Sequence, residues 1–299
     1  MIQVKTILCP TDGSPFAEGA LRHAIVLARW FGAEIAATHV YEAPPVALGR
    51  IAGPRLSIDD AELARVEDEL KRFLAPATEA GLPTSLRVAI GDPVDEILRM
   101  AESIPADLVV MGTHGRSFYE RLVIGSVTEK LLRRCAMPVI AVPAPKHHPV
   151  EARQILFETI VCAVDFSPAS LRALDYAFWL AKLAKGRLVL VHVLEQFAGA
   201  GSTDETPFDV SDYRQSLEAT AGERLRAVFA DYQEPELKPD FVVVTGRAGP
   251  QIARLAAERE AGLVVMGVVG RGAVDLTLFG SAANHLVRTA TCPVLTIRM

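Results

Sequence analysis

Met111-Gly112-Thr113-His114-Gly115-Arg116 follows an apolar run, Asp107 to Met111, and nine residues separate Gly115 from Gly125-Ser126. The arrangement returns at Met266-Gly267-Val268-Val269-Gly270-Arg271, with the same nine residues before Gly280-Ser281. Each copy leaves a strand pattern and ends in a helical pattern that starts at Ser126 or Ser281. A glycine loop between a strand and a helix N-terminus suits phosphate. Glycine lets backbone N–H groups approach closely, and the helix end supplies unpaired donors and partial positive charge.

The repeat extends along the whole chain. Thr6-Ile7-Leu8-Cys9-Pro10-Thr11-Asp12 realigns with Thr159-Ile160-Val161-Cys162-Ala163-Val164-Asp165, an offset of 153. The offset is 155 by Ile97/Ile252, Gly112/Gly267 and Pro138/Pro293, so the second copy gains two residues in its middle. A period this long indicates two tandem domains rather than a solenoid. We place the first at 1–144, a linker at 145–157 and the second at 158–299.

Within the first copy, Val4 to Cys9 is a strand suited to a sheet covered on both faces. Ser14 is a candidate N-cap with Pro15 opening the helix that follows, to about Trp30. Strand Glu34–Tyr41, a loop over 42–57, a helix from Ser57 to about Ala80 and strand Thr84–Ile90 come next. Asp92 and Pro93 start a short helix. Strand Asp107–Met111, helix Ser126–Arg134 and strand Pro138–Val142 complete the copy. The second copy repeats the order, with helices at about Ser170–Leu183 and Tyr213–Phe229. Alternating strands and helices predict α/β domains with parallel sheets and right-handed crossovers.

The 299 residues carry a net charge of −5, spread evenly: 16 basic and 18 acidic residues in 1–150, then 15 and 18. No basic half exists to grip nucleic acid or an anionic membrane. Four cysteines without dense spacing suit a reducing compartment. No run of 18 apolar residues offers a membrane span. The N-terminus enters a strand without a signal-peptide pattern, and the expected location is the cytoplasm. His39 and His192 lack a Cys or carboxylate partner at metal-ligand spacing, and Cys9 and Cys162 read as small buried hydrophobes.

The double Gly-x-x-Gly, nine residues, Gly-Ser pattern resembles the ATP-binding subgroup of the universal stress protein family. That resemblance implies two tandem open parallel five-stranded sheets flanked by helices, adenine nucleotide alpha hydrolase-like, with strand order 3-2-1-4-5. Ligands of open α/β sheets bind at strand carboxyl ends where the order reverses, here strands one and four. It also implies ATP or ADP in each domain, with Mg2+ reached through phosphate oxygens. The nucleotide-binding residues implied in the first copy are Pro10, Asp12, Val40, Met111, Gly112, Gly115, Arg116, Gly125, Ser126, Val127 and Thr128. In the second they are Asp165, Val193, Met266, Gly267, Gly270, Arg271, Gly280, Ser281 and Ala282. Asp12 and Asp165 would meet the adenine or ribose portion, and the backbone of Val40 and Val193 the adenine.

Other readings stay open. Gly112 and Gly115 also suit turns that need positive φ, Ser126 and Glu129 fit a capping box, and Arg116 and Arg271 suit either a terminal phosphate or solvent. Ala163 in place of Pro10 and Val269 in place of His114 set the second copy apart. A P-loop, a nucleophile elbow and a placed catalytic base are missing from the sequence, which favours a nucleotide-dependent regulator over a fast enzyme. Slow ATP hydrolysis and a nucleotide-free scaffold are the alternatives. The last strands of the two domains are expected to pair internally, the loops over 42–57 and 195–209 to act as lids, and the full chain to form a homodimer.

Overall fold

The computed structural model describes residues 2–42, 60–115, 124–144, 157–195, 210–232, 234, 236–268 and 279–298. The chain divides into two units, Met1–Ile155 and Leu156–Met299. The expected linker, both expected lids, Arg116, Gly270 and Arg271 lie wholly or almost wholly outside the described residues.

The first unit runs β1 (Thr6–Pro10), α1 (Pro15–Phe31), β2 (Glu34–Glu42), α2 (Asp60–Glu79), β3 (Thr84–Gly91), α3 (Pro93–Ser103), β4 (Leu108–Gly112), α4 (Ser126–Arg134) and β5 (Val139–Val142). Its strands are all parallel and lie in the order β3-β2-β1-β4-β5. The second unit runs β6 (Thr159–Ala163), α5 (Pro168–Ala184), β7 (Arg187–Leu194), α6 (Val210–Phe229), β8 (Asp240–Thr245), α7 (Ala248–Glu258), β9 (Leu263–Gly267), α8 (Ser281–Thr289) and β10 (Val294–Ile297). Its parallel order is β8-β7-β6-β9-β10. In each unit the first and fourth strands are neighbours, and the chain leaves them in the same direction.

Residue chemistry explains these elements. The central strands are continuous apolar runs because helices cover both faces: Ile7, Leu8 and Cys9 are fully buried, as are Ile160, Val161 and Cys162. Each buried aliphatic side chain contributes about 1.5–3 kcal/mol relative to exposure. Helix α1 begins where the Ser14 side chain accepts from the Ala17 N–H at 3.3 Å, with Pro15 next. It stops at Gly32, whose N–H donates to the Ala28 carbonyl and whose left-handed φ of 67° turns the Ala33 N–H to the same carbonyl at 3.0 Å. Ser167 repeats the cap on Ser170 at 3.2 Å. Asp92 caps α3 through the N–H groups of Val94 and Asp95. Among the described residues no helix is long and apolar enough to cross a membrane.

Candidate functional site

The site is built at the carboxyl ends of β1 and β4. Directly after β1, Thr11 Oγ1 accepts from the Gly13 N–H at 3.1 Å, and Asp12 Oδ1 accepts from the Ser14 N–H at 3.0 Å. These two local bonds turn the chain into α1 and fix the Asp12 carboxylate. Its other oxygen, Oδ2, lies 2.8 Å from the position a Cβ would take on Gly115. The turn and the glycine loop therefore meet face to face, although about a hundred residues separate them in sequence.

The nine-residue excursion closes on itself at its base. The Gly125 N–H donates to the Thr113 carbonyl at 2.8 Å, and Gly280 repeats the bond to Val268 at 2.9 Å. Thr113 and Val268 are in turn anchored to the last strand of their unit, donating to Val142 and Ile297 at 2.9 Å each. Thr128, in the first turn of α4, donates its buried hydroxyl to the Gly112 carbonyl at 2.9 Å. These bonds hold the start of α4 beside the end of β4. The loop ends are thus tied to the sheet.

The glycines do not serve positive φ. Gly112, Gly115, Gly125, Gly267 and Gly280 all lie outside the left-handed region. Close approach is the reason at Gly112, Gly115, Gly267 and Gly280, whereas a Cβ on Gly125 would meet only ordinary contacts, the nearest at 3.4 Å. A Cβ on Gly112 would sit 3.0 Å from the Phe16 carbonyl oxygen, and one on Gly267 2.9 Å from the backbone of Ala169 and Ser170. Those two glycines let the first turn of α1 or α5 pack on the strand end. A Cβ on Gly280 would stand 2.7 Å from the Val268 carbonyl oxygen. Among these five glycines, Gly115 alone has a carboxylate, that of Asp12, as its nearest neighbour.

The capping box does not form. The cap of α4 is Gly125, with no side-chain cap bond, and Ser126 is the first helical residue. Glu129 pairs instead with Arg133 at 3.0 Å, and its N–H takes the Gly125 carbonyl. In the second unit Gly280 likewise caps α8 without a side-chain bond. Ser126 and Ser281 are exposed at the helix starts, with Val127 and Ala282 half-buried behind them. These ends present backbone donors and the positive pole of the helix.

Pro10 is buried at the end of β1, and Val40 and Val193 are half-buried near the ends of β2 and β7. Met111 and Met266 are 5% exposed, so their side chains belong to the core. The strand-end histidines have a defined role. His39 Nδ1 lies 2.9 Å from the Thr11 carbonyl oxygen, and His192 Nδ1 2.6 Å from that of Val164. A carbonyl accepts only, so Nδ1 carries the proton in each. Among the described residues no cluster of His, Cys, Asp and Glu is placed to hold a metal ion. All four cysteines are buried, and burial pushes the Cys9 thiol up to about 12.

Sequence reasoning passed over the aromatic neighbours of the cleft. In the first unit the rings of Phe16 and His114 lie 5.6 Å apart, and His114 Nδ1 is 2.8 Å from Thr113 Oγ1. Burial pulls the His114 imidazole below its ordinary range. In the second, Asp165 Oδ1 accepts from both the N–H and the hydroxyl of Ser167, at 2.9 and 2.5 Å. Phe166 beside it packs on His192. The 153-residue offset, which sets Phe166 against Gly13, was the signal available.

The model of the universal stress protein family matches residues 3–143 and again 156–298. The chain belongs to that family. Its two units are two copies of the universal stress protein domain in tandem. A universal stress protein of Mycolicibacterium smegmatis is 28% identical over 311 aligned positions, covering 100% of this chain and 99% of its own. A shorter one from Methanocaldococcus jannaschii is 35% identical over 142, which is 48% of this chain and 84% of the relative. The crystal structure of a universal stress protein from Archaeoglobus fulgidus superposes with a TM-score of 0.72 at 23% identity, covering 99% of both chains. That likeness concerns the fold.

Proposed function

We propose that this tandem universal stress protein binds an adenine nucleotide, ATP or ADP, and that occupancy is the signal it transmits. The observation that carries this reading is the approach of Asp12 Oδ2 to Gly115 at the rim where α4 begins without a side-chain cap. A carboxylate acceptor for hydroxyl or amino groups and a row of backbone donors for an anion stand at one strand-end cleft. A nucleotide has both needs. Ribose or base would face Asp12 and Val40, and phosphates would face Gly115 and the N–H groups of Ser126, Val127 and Thr128. A triphosphate brings its own divalent charge compensation, and Mg2+ would be held largely by phosphate oxygens.

Holding, rather than rapid turnover, is the proposed chemistry. The Asp12 oxygen bonded to Ser14 serves the turn, and Thr128 spends its hydroxyl proton on Gly112. Both groups support geometry instead of activating water. Protein purified without added nucleotide should release ATP or ADP on acid denaturation and turn ATP over at most slowly. Release of none, with no heat on titrating ATP, would overturn the binding reading. Multiple turnovers per second would overturn the regulator reading. Pairing of the last strands is proposed on the resemblance, since an edge strand invites a partner. Separated fragments that sediment as clean monomers would overturn it.

A further inference from the structure

The crossover from α2 to β3 leaves a cleft in the first unit where the second unit packs aromatic rings. Residues 80–83 turn the chain back so that β3 retraces α2, and the Thr78 and Thr84 hydroxyls meet at 3.3 Å near the turn. Farther from the turn, buried Leu74 and half-buried Leu86 form the floor of a cleft of about 570 Å³, with Lys71 and Arg87 on its wall. That volume falls within the roughly 300–1,000 Å³ of small-molecule sites. Because β3 ends the strand order of its unit, no further strand of that unit lies beyond it.

At the offset of 155, Lys71, Leu74, Leu86 and Arg87 correspond to Arg226, Phe229, Phe241 and Val242. The Phe229 and Phe241 rings pack edge to face at 6.1 Å, and Tyr232 stacks on Phe229 at 5.2 Å. The Arg226 guanidinium lies 5.7 Å over Phe241. Rings thus take the place of the two leucines, and the cation is engaged by a ring face. The first unit has neither the rings nor that use for its cations.

Charge selects what suits the cleft. Lys71 is paired with Asp68 at 2.9 Å. Arg87 donates to the Leu86 carbonyl at 2.9 Å, and among the described residues no carboxylate is paired with it. Glu79 also borders the cleft, but at the turn end with Thr78 and Thr84, roughly two helical turns from Lys71. A guanidinium without an acid, beside an apolar floor, suits an anion with an apolar tail.

We propose that this cleft takes a small amphiphilic carboxylate, its single alkyl chain lying on Leu74 and Leu86 and its head on Arg87. The site uses the amino-terminal half of β3, away from the cleft at the strand carboxyl ends, and does not depend on the nucleotide reading.

Displacement of the fluorescent anion anilinonaphthalene sulfonate from the full chain is the test. Decanoate should displace the probe, and decanol, with the same chain and no charge, should do so at least roughly threefold more weakly. The paired change Leu74→Phe, Leu86→Phe installs the second unit's rings and should abolish decanoate binding while the melting transition is kept. Arg87→Gln, at an exposed position, should weaken decanoate by roughly threefold or more and leave decanol unaffected. If the paired change unfolds the chain, Arg87→Gln decides alone. A chain that binds no probe, decanol equal to decanoate, displacement by ATP, or decanoate affinity unchanged in Arg87→Gln would each overturn the proposal.

Discussion

Asp12 Oδ2 stands 2.8 Å from where a Cβ would project from Gly115, so any side chain added to the glycine meets the acid. The neighbour is a side-chain carboxylate rather than backbone, so it can yield at the expense of its bond from the Ser14 N–H. Gly115→Val should therefore displace the Asp12 carboxylate and block the loop rim while leaving the fold. We expect ATP affinity to drop by roughly tenfold to a hundredfold, as for loss of a hydrogen bond to a charged group. The melting temperature should stay close to that of the parent. Calorimetry with a parallel melt checks both, and unchanged affinity would remove this rim as the site.

Gly112 and Gly267 behave differently because helix backbone stands where their Cβ atoms would go. Gly112→Ala and Gly267→Ala should each cost about 1–3 kcal/mol, the penalty of overpacking a close contact. Gly267→Ala should be the worse, since three atoms of Ala169 and Ser170 lie at 2.9 Å. Urea denaturation measures this, and full stability in Gly267→Ala would mean that α5 shifts away without cost.

Thr38 is 1% exposed, and its hydroxyl has no hydrogen-bond partner among the described residues. Its counterpart in the second unit is Val191, also 1% exposed. A buried unsatisfied hydroxyl costs about 1–3 kcal/mol. Thr38→Val, nearly the same shape, should stabilise the chain by about 1 kcal/mol, and Val191→Thr should destabilise it by a similar amount. A shift of the urea midpoint at constant slope is the readout. A destabilised Thr38→Val chain would show that the hydroxyl has a partner.

Burial lowers the affinity of His23 and His114 for protons from the ordinary 6.5. Between the lowered native values and 6.5 the unfolded chain binds more protons, so stability rises with pH through that window. The contribution is whole above 6.5 and is lost as pH falls through the window. The double variant His23→Gln, His114→Gln should flatten the slope of unfolding free energy as pH falls below 6.5. An unchanged slope would assign acid sensitivity to other groups.

Much of the architecture was legible because local rules agreed with global ones. Ser14 and Asp92 cap helices as their positions before Pro15 and Pro93 suggest, and the offset from Asp12 to Asp165 announces two domains. The glycines were legible as important but not in purpose. Close approach to a helix backbone and close approach to phosphate leave the same residue in the sequence, and only the position of Phe16 reveals which applies to Gly112. Ser126 looked like a cap because Glu129 stands three residues on. Gly125 takes the cap, and Glu129 turns to Arg133. Left-handed Phe166 could not be read in advance, since turn rules expect glycine or asparagine there.

The imidazole that ties the second strand of each unit to the first has a consequence for descent. His39 and His192 grip a main-chain carbonyl, which every residue type supplies. The strand exits are thereby set by a contact indifferent to the side chains around it. After duplication, such a joint leaves neighbouring positions open to drift: proline beside alanine at 10 and 163, glycine beside phenylalanine at 13 and 166. The same joint therefore serves two units whose neighbouring side chains differ.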